Sequence, residues 1–277
     1  MKKILMSVLF LCLGMTFSFS SIAAQNEKET AYDRVIRTDV LRCGYLLYPP
    51  LLTKDINTGA ISGISHDILE EIGKRLSIKI EWEEEAGTDV ILQGMPSRYD
   101  MTCFPLYASS GRARVTFFST PLFFSATYLV TKDNDTRFDK NPILLNDAQY
   151  TIATLDGEIT SILAAQRFPM AVQHAIPQSQ GYSFVLKDVA IGKADATISD
   201  KVSVDLYNKE NEDHLKIIEP PFLINEISFP IPQDIRFKSM LDITLNEMQS
   251  DGWIENLLKT KYPDYWEQII PAAKRFE

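Results

Sequence analysis

Apolar residues open the chain as one run and then recur with changing period. Ile4 to Met15 is apolar except for Ser7 and Gly14, with Lys2 and Lys3 before it and the mostly small residues Ser18 to Ala24 after it. That charged, apolar, small-residue order predicts a secretory signal peptide over residues 1–24. The run is shorter than the roughly 20 residues a spanning helix requires. From Leu41 to Leu47 the pattern is that of a buried strand, closed by Tyr48-Pro49-Pro50, because consecutive prolines cannot continue a ladder. A turn follows at Asn57-Thr58-Gly59. Ser65 then stands as a helix cap, with Asp67 in the first turn, Ile64, Ile68, Leu69, Ile72 and Leu76 at helical spacing, and Lys74 and Arg75 in the last turn. Ser77 to Trp82 alternates as a strand. Strand, helix, strand in this order predicts a parallel-sheet unit.

Two later segments share one shape. Ser97-Arg98-Tyr99-Asp100-Met101-Thr102 and Gly192-Lys193-Ala194-Asp195-Ala196-Thr197 each follow a helix and lead into an apolar strand. In the second case Tyr182, Val185, Leu186 and Val189 mark the helix face. The repetition predicts two similar lobes. Asp133 to Asp147 is polar and turn-rich and is expected to carry the chain into the second lobe, and Glu219-Pro220-Pro221 to mark the return. Phe237, Met240, Leu241, Leu245 and Met248 predict a further amphipathic helix, stopped by Gly252 and followed by another over Trp253 to Lys261.

Composition narrows the class. The net charge is -9 and becomes -11 once Lys2 and Lys3 are removed, which argues against nucleic acid or an anionic membrane as partner. The processed chain is expected to work outside the cytoplasm without inserting into a membrane. Of the three cysteines, Cys43 and Cys103 remain after processing. Both lie on apolar stretches, where either buried thiols or a single bridge would fit.

The order of several short segments resembles the extracellular solute-binding proteins of family 3, the amino-acid-binding components of ABC importers. The segments are Tyr48-Pro49-Pro50, Gly63 with Asp67, Arg98-Tyr99-Asp100, and Arg112-Ala113 before Phe118-Ser119-Thr120-Pro121. Gly192-Lys193-Ala194-Asp195-Ala196 with Asp200, and Asp251-Gly252, complete the series. The resemblance spans Leu41 to Trp266. It implies a two-lobed α/β fold of the type II periplasmic-binding-protein kind, each lobe a mainly parallel sheet flanked by helices. Two crossover strands, near Ala126 to Lys132 and Pro220 to Glu226, would form the hinge. Lobe 1 would hold residues 36–128 and 225–277, and lobe 2 residues 129–224. A monomeric periplasmic protein would deliver its solute to importer permease subunits. No cofactor and no metal are expected.

The same resemblance assigns Arg112 to a ligand carboxylate, which a guanidinium fork suits, and Asp200 to a ligand ammonium group. Tyr48, Phe104 and Tyr107 are expected to line the cleft, with Ser109 as the retained hydroxyl before the arginine; Phe124 reads better as core. Two departures from the family pattern stand out. Phe104, Pro105 and Tyr107 occupy places where hydroxyl residues are usual. Gly157-Glu158-Ile159-Thr160 stands where a glycine precedes small hydroxyl residues at a helix start. Glu158 suits a helix N-terminus but would repel a ligand carboxylate there. It therefore predicts either a cationic or larger, aromatic-compatible solute, or a pairing of Glu158 with Arg112 in a degenerate binder that acts as a sensor. An enzyme of the cyclohexadienyl dehydratase type is the alternative class, with Glu158 as general acid; His66, His174 and His214 form no catalytic or metal spacing.

Overall fold

The first lobe is assembled on one parallel sheet. A computed structural model describes residues 29–87 and 90–272, so the expected signal peptide lies outside the described residues. Strand β1 (Val40–Tyr45) is followed by the short hairpin β2 (Thr53–Lys54) and β3 (Ile61–Ser62), helix α2 (Ile64–Leu76) and strand β4 (Lys79–Glu85). With β5 (Met101–Thr102) they give the parallel order β4-β1-β5. Ile64, Ile68, Leu69 and Ile72 are all but fully buried against this sheet, each contributing about 1.5–3 kcal/mol relative to exposure.

Ser65 does not cap α2. The N-cap is Gly63, at φ 118°, and the buried Ser65 hydroxyl has no hydrogen-bond partner among the described residues. The reason is steric: a Cβ on Gly63 would stand 2.7 Å from the Leu51 carbonyl oxygen, so only glycine brings the chain this close to the Tyr48–Leu52 loop before the helix begins.

The repeated segment proves to be one hydrogen-bond device used in both lobes. In lobe 1 the Asp100 N–H donates to the Arg42 carbonyl (2.9 Å) and its carboxylate accepts from the Arg42 N–H (2.7 Å). In lobe 2 the Asp195 N–H donates to the Thr151 carbonyl (2.8 Å) and its carboxylate accepts from the Thr151 N–H (2.8 Å). Each carboxylate is then held by arginine: Asp100 by Arg34 and Arg42, Asp195 by Arg137. Arg34 belongs to α1 (Ala31–Thr38), which the ion pair fastens to the lobe.

Strands β6 (Leu106–Tyr107) and β7 (Phe117–Phe118) lead to β8 (Phe123–Lys132), the first crossover strand. The second lobe contains β9 (Thr151–Leu155), α3 (Ile159–Arg167), β10 (Val172–Ile176), α4 (Ser183–Ala190), β11 (Ala196–Ser199) and α5 (Lys201–Glu210). The return strand β12 (Leu215–Ser228) pairs antiparallel with β8 along both, with the register broken between Ile218 and Leu223. The sheet order is β10-β9-β11-β8-β12-β6, with β14 (Ile269–Pro271) also on β8. Strands β9, β10 and β11 are mutually parallel, but β8 and β12 enter antiparallel, so lobe 2 is less purely parallel than the pattern predicts. The polar stretch from Asp133 to Asp147 is not a bare connection: Phe138 and Leu145 are fully buried in the lobe 2 core, and the Arg137 guanidinium lies 5.0 Å from the Phe138 ring centroid.

The chain closes on lobe 1 with β13 (Pro230–Ile231), α6 (Ile235–Ser250) and α7 (Trp253–Lys261). Phe237, Leu241, Leu245 and Met248 join the core around Val35, Cys43 and Ile68. Cys43 and Cys103 form a disulfide with Cα atoms 5.2 Å apart across a separation of 60 residues. Closing a loop of that length restricts the unfolded chain by roughly 4 kcal/mol in the chain-entropy account.

Candidate functional site

Three helix N-termini of lobe 2 converge where its parallel strands end. Gly157, at φ 70°, turns the chain after β9 and sets Glu158 as the N-cap of α3, its Oε2 accepting from the Thr160 N–H at 3.0 Å. Asp200 follows β11 as the N-cap of α5. Its Oδ1 accepts from the Ser203 N–H at 2.9 Å and both carboxylate oxygens lie within 3.1 Å of the Ser203 hydroxyl. Tyr182 precedes α4, and its hydroxyl donates to the Ile198 carbonyl at 2.7 Å. A crevice beyond the carboxyl ends of parallel strands is where open sheets of this kind bind ligands.

Lobe 1 supplies the facing wall. The Cys43–Cys103 bridge fixes the segment that presents Phe104, and Tyr107 stands on β6, paired to Ile227 of β12. The Arg112 side chain reaches back to donate from Nη1 to the Tyr107 carbonyl at 2.9 Å. Tyr48 crosses to the other lobe: its hydroxyl is 2.7 Å from Ser203 Oγ and its ring centroid 5.8 Å from that of Tyr182. Between the walls lies a cavity of about 380 Å³, a size that suits a small molecule.

Of the residues singled out from the sequence, Tyr48, Phe104, Tyr107, Arg112, Glu158 and Asp200 all line this cavity. Ser109 and Ile159 do not. Ser109 accepts the Arg112 backbone N–H at 3.4 Å and so shapes the turn, while Ile159 is buried in the lobe 2 core, because a residue just past an N-cap turns its side chain toward the sheet. Phe124 lies outside the cavity, on the strand between Glu226 and Ile270. Tyr182, Gln178, Ser125 and Tyr265 line it as well. Tyr182 had a signal, an aromatic at the start of an amphipathic helix, that reads equally well as core.

The charges are unbalanced. Arg112 is the sole cation among the lining residues, against Glu85, Glu158 and Asp200. Glu85 has a partner of its own, Lys54 at 3.3 Å, which leaves two carboxylates facing one guanidinium. Burial raises the pKa of Glu158, opposed by the Thr160 amide and by Arg112. Burial likewise raises that of Asp200, opposed by Ser203. Arg112 is lowered by burial, with Glu158 acting against the shift. Burial, together with the charge of Asp200, keeps the Tyr48, Tyr107 and Tyr182 phenols neutral. Arg112 and Glu158 thus sense one another across the cavity, yet make no ion pair in this conformation. The arrangement can receive a cation at Asp200 among neutral aromatic faces.

The model of the bacterial extracellular solute-binding proteins, family 3, matches residues 41–263. A probable amino-acid ABC transporter-binding protein of Haemophilus influenzae is 27% identical over 221 residues, 78% of this chain and 80% of the relative. Among solved structures, the ancestral amino-acid-binding protein AncCDT-1, a precursor of cyclohexadienyl dehydratase, superposes with a TM-score of 0.73 at 20% identity, covering 83% of this chain and 98% of the other. A putative ABC-transporter binding component from Wolinella succinogenes, complexed with lysine, gives 0.71 at 21% identity, covering 82% and 99%.

Proposed function

From the premise that the chain belongs to the bacterial extracellular solute-binding proteins of family 3, we propose that it captures a small cationic solute, an amino acid or amine, between its lobes and hands it to an ABC importer. The observation that carries this reading is a cavity in which one guanidinium faces two carboxylates, Glu158 and Asp200, that make no ion pair. A cation restores the balance, and the aromatic walls of Tyr48, Phe104 and Tyr182 suit its apolar body. That a similar fold holds lysine in the Wolinella protein supports the same charge class.

In this reading Asp200 receives the ammonium group, Tyr48, Phe104 and Tyr107 enclose the solute, and Arg112 and Glu158 set the opposite end. Residues 36–128 with 225–277, together with the start of α1 that packs on them, act as one body and 129–224 as the other, as a monomer in the periplasm after loss of residues 1–24. The protein binds and releases without chemistry. No helix among the described residues is long and apolar enough to cross a membrane, which fits delivery to separate permease subunits.

A thermal-shift screen of the purified protein against amino acids, amines, dicarboxylates and cyclohexadienyl acids tests the proposal. A ligand at 100 times its dissociation constant stabilises by about 2.7 kcal/mol, a rise of roughly 5–10 °C for a protein of this size. The shift should come from amino acids or amines and vanish in Asp200→Ala. An enzymatic reading draws on the raised pKa of Glu158, which suits a general acid. Consumption of a cyclohexadienyl acid by the wild type, lost in Glu158→Gln, would establish it in place of the binding reading.

A further inference from the structure

Resting on the solute-binding reading, we propose that the cleft selects amines that lack an α-carboxylate, because Glu158 brings a carboxylate of the protein's own to the one cation among the described residues that line the cavity. Three observations lead here. First, Arg112 is the single positive side chain among the described residues that line the cavity, so it is the one charged partner they offer a ligand carboxylate. Second, Glu158 lines the same cavity, and its charge and that of Arg112 act on each other. Third, the N-terminus of α3, a ready anion site in principle, is already served from within the chain. The Thr160 N–H donates to Glu158 Oε2 at 3.0 Å, and the Ser161 N–H donates to the Glu158 carbonyl at 3.2 Å.

A ligand carboxylate placed at Arg112 would therefore meet a like charge, and one placed at the N-terminus of α3 would compete with an existing capping bond. An ammonium group meets no such obstacle at Asp200. Asp200 is held by Ser203. The ring of Tyr48 stands 5.8 Å from that of Tyr182 and 6.2 Å from that of Phe104, centroid to centroid, which gives a cation aromatic faces. As the lobes tighten, Glu158 of lobe 2 approaches Arg112 of lobe 1 and closes the ion pair that a ligand carboxylate would otherwise make. The ligand needs only its amine and its body.

Matched pairs that differ by the carboxylate test this by isothermal titration of the wild type: agmatine against arginine, cadaverine against lysine, tyramine against tyrosine, histamine against histidine. The expected result is that the amine of at least one pair binds 10-fold or more tightly than its amino acid. Glu158→Ser keeps a preferred N-cap residue and should reverse that preference by 10-fold or more; Glu158→Gln, which removes only the charge, should move it in the same direction. An amino acid that outcompetes its amine in the wild type overturns the inference and leaves the solute-binding reading intact. An amine preference that Glu158→Ser and Glu158→Gln leave unchanged overturns the role given to Glu158. Binding of neither member of any pair overturns the inference and the reading it rests on together.

Discussion

Replacing Asp200 by asparagine separates the two jobs this residue holds. As the N-cap of α5 it accepts from the Ser203 N–H at 2.9 Å. Asparagine caps about as well as aspartate, so the free protein should change in stability by no more than about 0.5 kcal/mol. As the carboxylate that faces the cavity it is irreplaceable by a neutral amide. Two unit charges about 4 Å apart attract by about 4 kcal/mol at the effective dielectric of a partly buried pair. Part of that is offset by burial, which already raises the pKa of Asp200 and disfavours its charged form. The net loss on neutralisation is about 2–4 kcal/mol, on the order of 30- to 1000-fold in Kd for a cationic ligand. Isothermal titration of the wild type and Asp200→Asn with the best ligand, beside melting curves of the free proteins, reads both quantities. Asp200→Ala loses the cap as well and should melt lower still, by the roughly 2–4 °C that 1 kcal/mol represents at this size. A Kd for Asp200→Asn within threefold of the wild type, with unchanged melting, would refute the assignment of Asp200 to the ligand's cation.

Three further outcomes follow from the geometry. Tyr48→Phe removes the 2.7 Å hydrogen bond to Ser203 across the cleft and keeps the ring contact with Tyr182; binding measured by titration should weaken by about 3- to 10-fold, as for one lost hydrogen bond of roughly 1 kcal/mol. Gly63→Ala forces a Cβ to 2.7 Å from the Leu51 carbonyl at a φ of 118° and should destabilise by about 2–4 kcal/mol, read from denaturant midpoints. In the free protein the raised carboxyls of Glu158 and Asp200 add stability that is fully present below their ordinary values of 4.5 and 3.8 and is lost as pH rises through their folded values. Cation binding needs the ionised forms and runs the opposite way. The ligand-induced rise in melting temperature should therefore shrink as pH falls from neutral toward the ordinary carboxyl range.

How much of this was legible depends on how local each signal is. Helix α2 and the strand starts at Asp100 and Asp195 could be read because apolar spacing and turn residues sit within a few positions of each other, but the helix expected before Ser97 is a run of turns over 90–98. The function of the repeat could not, since its partners Arg42 and Thr151 are 58 and 44 residues away. Helix α1 escaped notice because only Ala31 and Val35 are buried in it and its anchor is an ion pair with Asp100. The disulfide stayed open because sequence does not give a Cα separation. Ser65 misled because a preferred cap residue carries no information about a backbone that must come close to Leu51. In the site, Arg112 and Asp200 were found through family position and Glu158, Phe104 and Tyr107 where the chain departs from it, while Glu85 carried no such signal. Tyr182 and Gln178 were missed because they sit on the α4 approach, a stretch whose facing surface is defined only when the lobes meet.

The broken register between β8 and β12 has a mechanical consequence. Leu215 to Ile218 pair with Lys132 to Leu129, and Leu223 to Ile227 with Thr127 to Phe123. On the outer side of β8, β11 takes Tyr128 to Thr131 and β14 takes Phe123 to Ser125. Most rungs thus lie within one lobe, while Leu223 and Ile224 pair with Thr127 and Ala126, and Ser199 with Tyr128, where the two lobes join. At the rim Tyr48 meets Ser203 and Tyr182, and beside it Val202 of lobe 2 packs with the lobe 1 core. The hydrogen bond and ring contact of Tyr48 contribute about 1–2 kcal/mol to holding the lobes together. A solute shifts their arrangement only by as much as it binds one arrangement better than another.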